Sequence, residues 1–175
     1  MIFTATKLMG AYIIDPEPIG DERGFFARTW CRYEFRDRGL CSDFVQCNIS
    51  SNARRGTLRG MHYQADPHPE IKLVRCTHGA IYDVIIDLRP ASPTRYQWVG
   101  VELTAKNHRM LYIPAGFAHG FQTLEDESEV FYQMSEFYYP ELARGVRWDD
   151  PAFGVVWPPA ERIISARDAA YKDVV

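Results

Sequence analysis

The sequence predicts an all-β domain, either a sandwich or a barrel, and three observations point there. Residues 81–88 alternate strictly, with Tyr82, Val84, Ile86 and Leu88 on one side and Ile81, Asp83, Ile85 and Asp87 on the other. That is the two-residue period of a strand. Shorter strand-like runs occupy 73–76, 98–103, 110–113 and 130–137. Turn residues separate the runs at His78-Gly79, 89–93, Lys106-Asn107 and 114–116, a spacing typical of closed or stacked antiparallel sheets.

Two segments read as short flanking helices. One covers 32–38, and the other follows Ser165, a residue type that caps helix N-termini by accepting from a backbone N–H. The aromatic and proline-rich stretch 148–159 is expected to wrap the barrel without regular structure. No repeat, low-complexity tract or linker divides the chain, so 1–175 reads as a single domain.

Composition excludes several classes. The chain has 175 residues, 46% hydrophobic and 25% charged, with a net charge of −3 and no lysine or arginine run. Nucleic acid is therefore not an expected partner, because a basic stripe is its usual electrostatic footprint. No apolar run reaches membrane-spanning length, and Lys7 and Asp15 interrupt the N-terminal apolar stretch, unlike a signal peptide. Cys31, Cys41, Cys47 and Cys76 form no CxxC pair. They read as reduced thiols, small buried side chains in a cytoplasmic protein. The aromatic share, 14%, fits core packing and also surfaces on which flat rings stack.

Reactive side chains concentrate in three segments, 57–64, 71–75 and 114–121. Their spacing resembles the cupin barrel. Gly56, His62 and Gly79 fit its first motif; Pro114, Gly116 and His119 fit its second. The departures are informative. Gln64 stands where a metal-binding cupin has a second histidine, and Lys72 where it has a glutamate. A protonated lysine repels a divalent cation, and an amide is a poor substitute for imidazole. No metal is expected, and the interior positions are free for proton chemistry.

At finer grain the chain resembles the dTDP-4-dehydrorhamnose 3,5-epimerase family over nearly its whole length. The matching segments are 21–26, 46–50, 58–64, 72–74, 113–121 and 148–151, followed by Ser165 and Asp168. The resemblance implies a cupin-type jelly-roll barrel, a homodimer with a site shared between subunits, no metal, no cofactor and a nucleotide-sugar substrate.

It also implies roles. A ketone at carbon 4 of a sugar acidifies the C–H bonds at carbons 3 and 5. Inversion then needs a base, a group that stabilises the enolate, and an acid on the opposite face. His62 suits the base, since imidazole titrates near neutrality, and the resemblance makes Asp168 its partner. Lys72 is the enolate-stabilising cation and Tyr132 the acid. Arg23 and Arg59 are candidates to neutralise the diphosphate. Gln46 and Asn48 offer amides to the base or sugar, while Phe26 and Tyr138 offer faces to the base. The segment containing Arg23 and Phe26 is implied to reach the partner subunit's site. His119 either orients the site or only packs the barrel; His68, His78 and His108 read as solvated turn residues.

On a regular strand Arg59 and His62 would face opposite ways, and Gly60 between them is expected to permit a bulge that re-aims one side chain so that both reach one site. Three positions depart from the family pattern. Arg28, itself a candidate nucleotide- or substrate-binding residue, and Ala143 stand where glutamate is usual, and Glu70 where glutamine is usual. The expected reaction is epimerisation of a nucleotide-diphosphate 4-keto-6-deoxy sugar, such as dTDP-4-dehydro-6-deoxyglucose, at carbon 3, carbon 5 or both; the alternative keeps that chemistry but changes the base, the sugar or the number of inverted centres. The competing readings are a metal-dependent cupin oxygenase or isomerase, a ketoisomerase on a similar barrel, and a binding protein without activity.

Overall fold

A computed structural model of the chain describes residues 1–174; residue 175 of the expected 1–175 domain lies outside the described residues. In chain order the elements are β1 (Ile2–Ala5), β2 (Tyr12–Asp15), β3 (Ile19–Asp21), β4 (Gly24–Phe26), α1 (Arg32–Arg36), β5 (Gln46–Asn52), β6 (Thr57–Gln64) and β7 (Lys72–His78). There follow β8 (Ala80–Asp87), β9 (Trp98–Thr104), β10 (Met110–Ile113), β11 (Phe117–Thr123), β12 (Ser128–Met134), β13 (Ala143–Gly145), β14 (Ile163–Ile164) and α2 (Ala166–Ala169).

Two sheets face each other. One runs β1-β2-β10-β7-β12-β5; the other runs β13-β6-β11-β8-β9, with β14 added in parallel to β6. Alternation within the strands divides the apolar side chains between the layers. Val74, Cys76, Ile81, Ile85, Leu111, Phe121 and Val130 meet between the sheets as the inner core. Their sequence neighbours turn outward. Leu73, Met110 and Ile14 pack beneath Phe35 of α1, while Val84, Ile86 and Ala118 pack beneath Phe153 and Trp157 of the C-terminal tail. The tail from 148 to 159 therefore covers the second sheet without regular structure, as its composition predicts.

Most expected strands are present with slightly different ends. The run expected over 130–137 stops at Met134, where Ser135 N–H turns to Ile71 O. Phe137 and Tyr138 then leave the sheet exposed. The helix expected over 32–38 is shorter, Arg32–Arg36, and Cys31 at its N-cap makes no side-chain cap. All four cysteines are free thiols, but Cys76 alone of the four is buried. Cys47 is exposed because it occupies the outward register of β5, opposite Gln133 on β12. Among the described residues no helix is long and apolar enough to cross a membrane.

Candidate active site

The pairing registers place the polar side chains before any contact is considered. Directly opposed residues of an antiparallel pair share a face. On the first sheet, Lys72 opposes Met134, Met134 opposes Gln46, and Tyr132 opposes both Val74 and Asn48. Because Val74 belongs to the inner core, Tyr132, Lys72, Gln46 and Asn48 all point inward. On the second sheet, His119 opposes His62 and Phe121 opposes Arg59.

That last register contains the expected bulge. Three steps along β6, from Arg59 to His62, match two along β11, from His119 to Phe121. The extra residue lets Leu58 and Met61 both join the outer cluster, while Arg59 and His62 both face the cavity. Gly60 makes this possible. Its φ is +140°, and a Cβ there would lie 2.6 Å from Gly120 Cα.

Two adjoining lobes open between the sheets, about 270 and 410 Å³ in volume. His62, Lys72 and Tyr132 line both and form the throat between them. Gln46, Asn48 and Tyr138 line the first lobe, and Arg59 and His119 line the second. His62 and Tyr132 come from opposite sheets, so they flank the throat from opposite walls.

Asp168 reaches His62 through the C-terminal segment. The two-residue strand β14 runs beside Thr57 and Leu58 of β6. Ser165 then starts α2, its hydroxyl accepting from Asp168 N–H at 3.1 Å. Asp168 Oδ1 lies 2.8 Å from His62 Nε2, and Oδ2 accepts from Gly60 N–H at 3.2 Å. Burial alone would raise the Asp168 carboxyl. The hydrogen bond and charge of His62, with the Gly60 and Ser165 contacts, outweigh it and hold the carboxyl below its ordinary value. Gly145 opposes His62 on β13, and its bare Cα leaves space for the ring of Tyr171, edge-on to His62 at 6.1 Å between centroids.

His119 forms a second histidine–carboxylate pair, Nε2 to Asp83 Oδ1 at 2.7 Å, almost fully buried. Lys72 Nζ lies 2.6 Å from Glu70 Oε1, with both side chains about nine-tenths buried. The Tyr132 phenol is raised above its ordinary value, first by burial and then by the negative charge of Glu70, against a lowering by Arg59.

The cupin metal positions do not fit a cation. The Gln64 amide donates to His68 O at 2.6 Å and Phe137 O at 3.0 Å, and its oxygen accepts from Tyr139 N–H. Gln64 thus clamps the segment that carries Tyr138: its side chain lines the first lobe, but its amide N–H and oxygen are engaged with backbone groups. Lys72 brings a cation where a ligand would be needed. Among the described residues no three His, Cys, Asp or Glu side chains gather to hold a metal ion.

Three expected binding residues lie outside this chain's own cavity. Arg23 and Phe26 sit on the exposed β3–β4 hairpin, where Arg23 pairs with Asp21. Arg28 is an exposed side chain that pairs with Glu34 at 3.0 Å. His78 is exposed as expected, but His68 and His108 are half-buried, His68 stacked on Tyr139 at 4.3 Å and His108 against Phe25. Sequence reasoning missed Tyr63, Arg144 and Arg167, all in the first lobe. Arg167 carried one signal, adjacency to Asp168, and Tyr63 another, its place between His62 and Gln64 on β6; Arg144 carried none, since β13 is too short to announce its register.

A jelly-roll barrel with a histidine–aspartate pair, a lysine and a tyrosine around one throat defines a cupin-type domain whose cavity gathers titratable groups. The family model for dTDP-4-dehydrorhamnose 3,5-epimerase matches residues 5–174, and the chain belongs to that family. It is an isomerase-class family of epimerases. A dTDP-4-dehydrorhamnose 3,5-epimerase of Methanothermobacter thermautotrophicus is 46% identical, over 97% of this chain and 92% of that one. The crystal structure of the Bacillus anthracis enzyme, with TDP and pyrophosphate bound, superimposes with a TM-score of 0.95 at 40% identity, covering 99% of each chain. The Legionella pneumophila enzyme, in complex with dTDP-4-keto-L-rhamnose, superimposes with a TM-score of 0.92 at 38% identity, over 98% of this chain and 92% of that one.

Proposed function

We propose that the protein epimerises a dTDP-linked 4-keto-6-deoxy sugar through an enolate, with His62 as base and Tyr132 as acid. The observation that carries this reading is the placement of His62 and Tyr132 on opposite walls of one throat. Inversion requires a proton to leave one face of a carbon and return to the other. With Asp168 ionised and accepting from Nε2–H, Nδ1 of His62 keeps its lone pair for the substrate. As that proton transfers, the carboxylate steadies the imidazolium. Lys72 stabilises the oxygen of the enolate. Tyr132, held neutral by burial and by Glu70, delivers a proton to the opposite face. No step is assigned to a metal or cofactor.

Arg59 and His119 suit the sugar and phosphate oxygens in the second lobe, and Gln46, Asn48 and Tyr138 suit the base and its sugar in the first. Arg23 and Phe26 act in the partner subunit's site in this reading. The exposed apolar surface of Ile19, Phe25 and Phe26 on a protruding hairpin supports a homodimer. Four free thiols suit the reducing cytoplasm.

A second reading keeps the chemistry but changes the sugar, the base or the number of centres. Ala143 lines the first lobe where the resemblance leads one to expect a glutamate, and Arg28 is engaged with Glu34. Product stereochemistry from dTDP-4-dehydro-6-deoxyglucose tests both. Inversion at carbons 3 and 5 at a useful rate supports the first reading. Inversion at one centre supports the second, and a moved carbonyl would replace both with a ketoisomerase.

A further inference from the structure

The fixed charges lining the lobes that would receive a doubly charged diphosphate are cationic (Lys72, Arg144 and Arg167 in the first, Lys72 and Arg59 in the second), with one exception. Among the described residues Glu70 is the only carboxylate lining either lobe. Asp168 and Asp83 stand behind their histidines, whereas Glu70 is in the cavity wall. An ionised carboxylate there opposes an anionic ligand and is costly to desolvate unless paired. Glu70 is paired, 2.6 Å from Lys72 Nζ.

The pair has a geometric consequence. An ammonium has three N–H donors on a flexible stem. One donor fixed on Glu70 limits where the other two point, and Lys72 lines the throat from which His62 and Tyr132 also reach the substrate. Glu70 is also the foremost charged neighbour acting on the Tyr132 phenol. The other charged or titratable groups lining the lobes with Lys72 and Tyr132 are Arg59, His62 and Tyr63 from β6, His119 from β11, Tyr138, Arg144 from β13 and Arg167 from α2.

We propose that Glu70 is a positioning residue for the epimerisation: its carboxylate, 2.6 Å from the Lys72 ammonium, aims Lys72 at the developing enolate oxygen. The proposal rests on the epimerase reading above. It assigns Glu70 no contact with the reacting carbon.

The test compares the purified full chain with Glu70→Gln and Glu70→Asp, using dTDP-4-dehydro-6-deoxyglucose as substrate. Glu70→Gln keeps size and removes charge. It is expected to lower kcat about tenfold, leave KM unchanged or lower, and move the alkaline limb of the kcat profile down by roughly half a pH unit. Glu70→Asp keeps the charge and is expected to restore the wild-type alkaline limb. Wild-type kcat with a superimposable pH profile in folded Glu70→Gln overturns the proposal. So does a loss of kcat with KM rising in step and an unmoved limb, which marks a structural role. If Glu70→Gln does not fold, Glu70→Asp decides: a displaced limb despite the retained charge overturns the proposal. Failure of the epimerase reading itself would appear separately, as wild-type protein that neither turns over the substrate nor exchanges its protons with solvent.

Discussion

Asp168 Oδ1 lies 2.8 Å from His62 Nε2, although 106 residues separate the two in sequence. The aspartate is held below its ordinary value; in the proposed mechanism it accepts a hydrogen bond from Nε2–H and leaves Nδ1 as the basic atom. Asp168→Asn can present its amide to the same nitrogen and favour the opposite tautomer. The expected outcome is a loss in kcat of roughly a hundredfold to ten-thousandfold, with a lower Tm at neutral pH because the depressed, buried carboxylate also stabilises the fold, while Ser165 still caps α2. Steady-state kinetics beside a melting curve reads both quantities, and an Asn variant with wild-type kcat removes Asp168 from the mechanism.

Tyr132 stands on the opposite sheet from His62, so deprotonation and reprotonation are separable. Tyr132→Phe keeps the ring in its place and removes the transferable proton. Proton NMR in heavy water is expected to show solvent exchange at the substrate's acidic centre continuing, with inverted product reduced at least tenfold. Full inversion by the Phe variant means another group supplies the proton.

Gly60 holds the bulge that turns Arg59 and His62 to one side. Gly60→Ala places a methyl group 2.6 Å from the Gly120 backbone at φ +140°. Strain and overpacking together are expected to cost about 2 kcal/mol or more, read as a lowered Tm. Residual folded protein is expected to lose activity, because Arg59 and His62 no longer share the cavity. An Ala variant as stable and active as the wild type shows the bulge is not needed.

Asp87 governs acid stability away from the site. Burial pushes its carboxyl up, but hydrogen bonds from Arg89, Ser92 and Thr94 prevail and bring it from 3.8 down to about 2. A depressed carboxyl stabilises the fold above its unfolded value, and that contribution is lost as pH falls through the folded value. The stabilisation is on the order of 2 kcal/mol, full above pH 4 and fading toward pH 2. Asp87→Asn is expected to lower Tm at neutral pH and to flatten the decline between pH 4 and 2. An unchanged acid profile sinks the assignment.

What the sequence made legible follows from the range of each signal. The alternation of 81–88 is local, so β8 was readable, and so were the chemical identities of His62, Lys72 and Tyr132. The bulge expected at Gly60 was inferable, but its position depends on pairing with β11, between His119 and Phe121. Asp168 depends on β14, two residues long and paired with a strand over a hundred residues earlier; local periodicity carries no trace of that. Arg23, Phe26 and Arg28 belong to surface segments whose partners lie outside this chain's own cavity. Gln64 was read as a vacated metal position. Its amide instead clamps the chain near Tyr138, a use visible only once that segment is placed.

The most direct test of His62 as the proton-abstracting base is solvent exchange in heavy water with dTDP-4-dehydro-6-deoxyglucose, comparing the wild type with His62→Ala. Deuterium is expected to enter the substrate at carbon 5, carbon 3 or both with the wild type, and at neither with His62→Ala, whose affinity for dTDP stays similar. Exchange by folded His62→Ala at the wild-type rate would contradict the account.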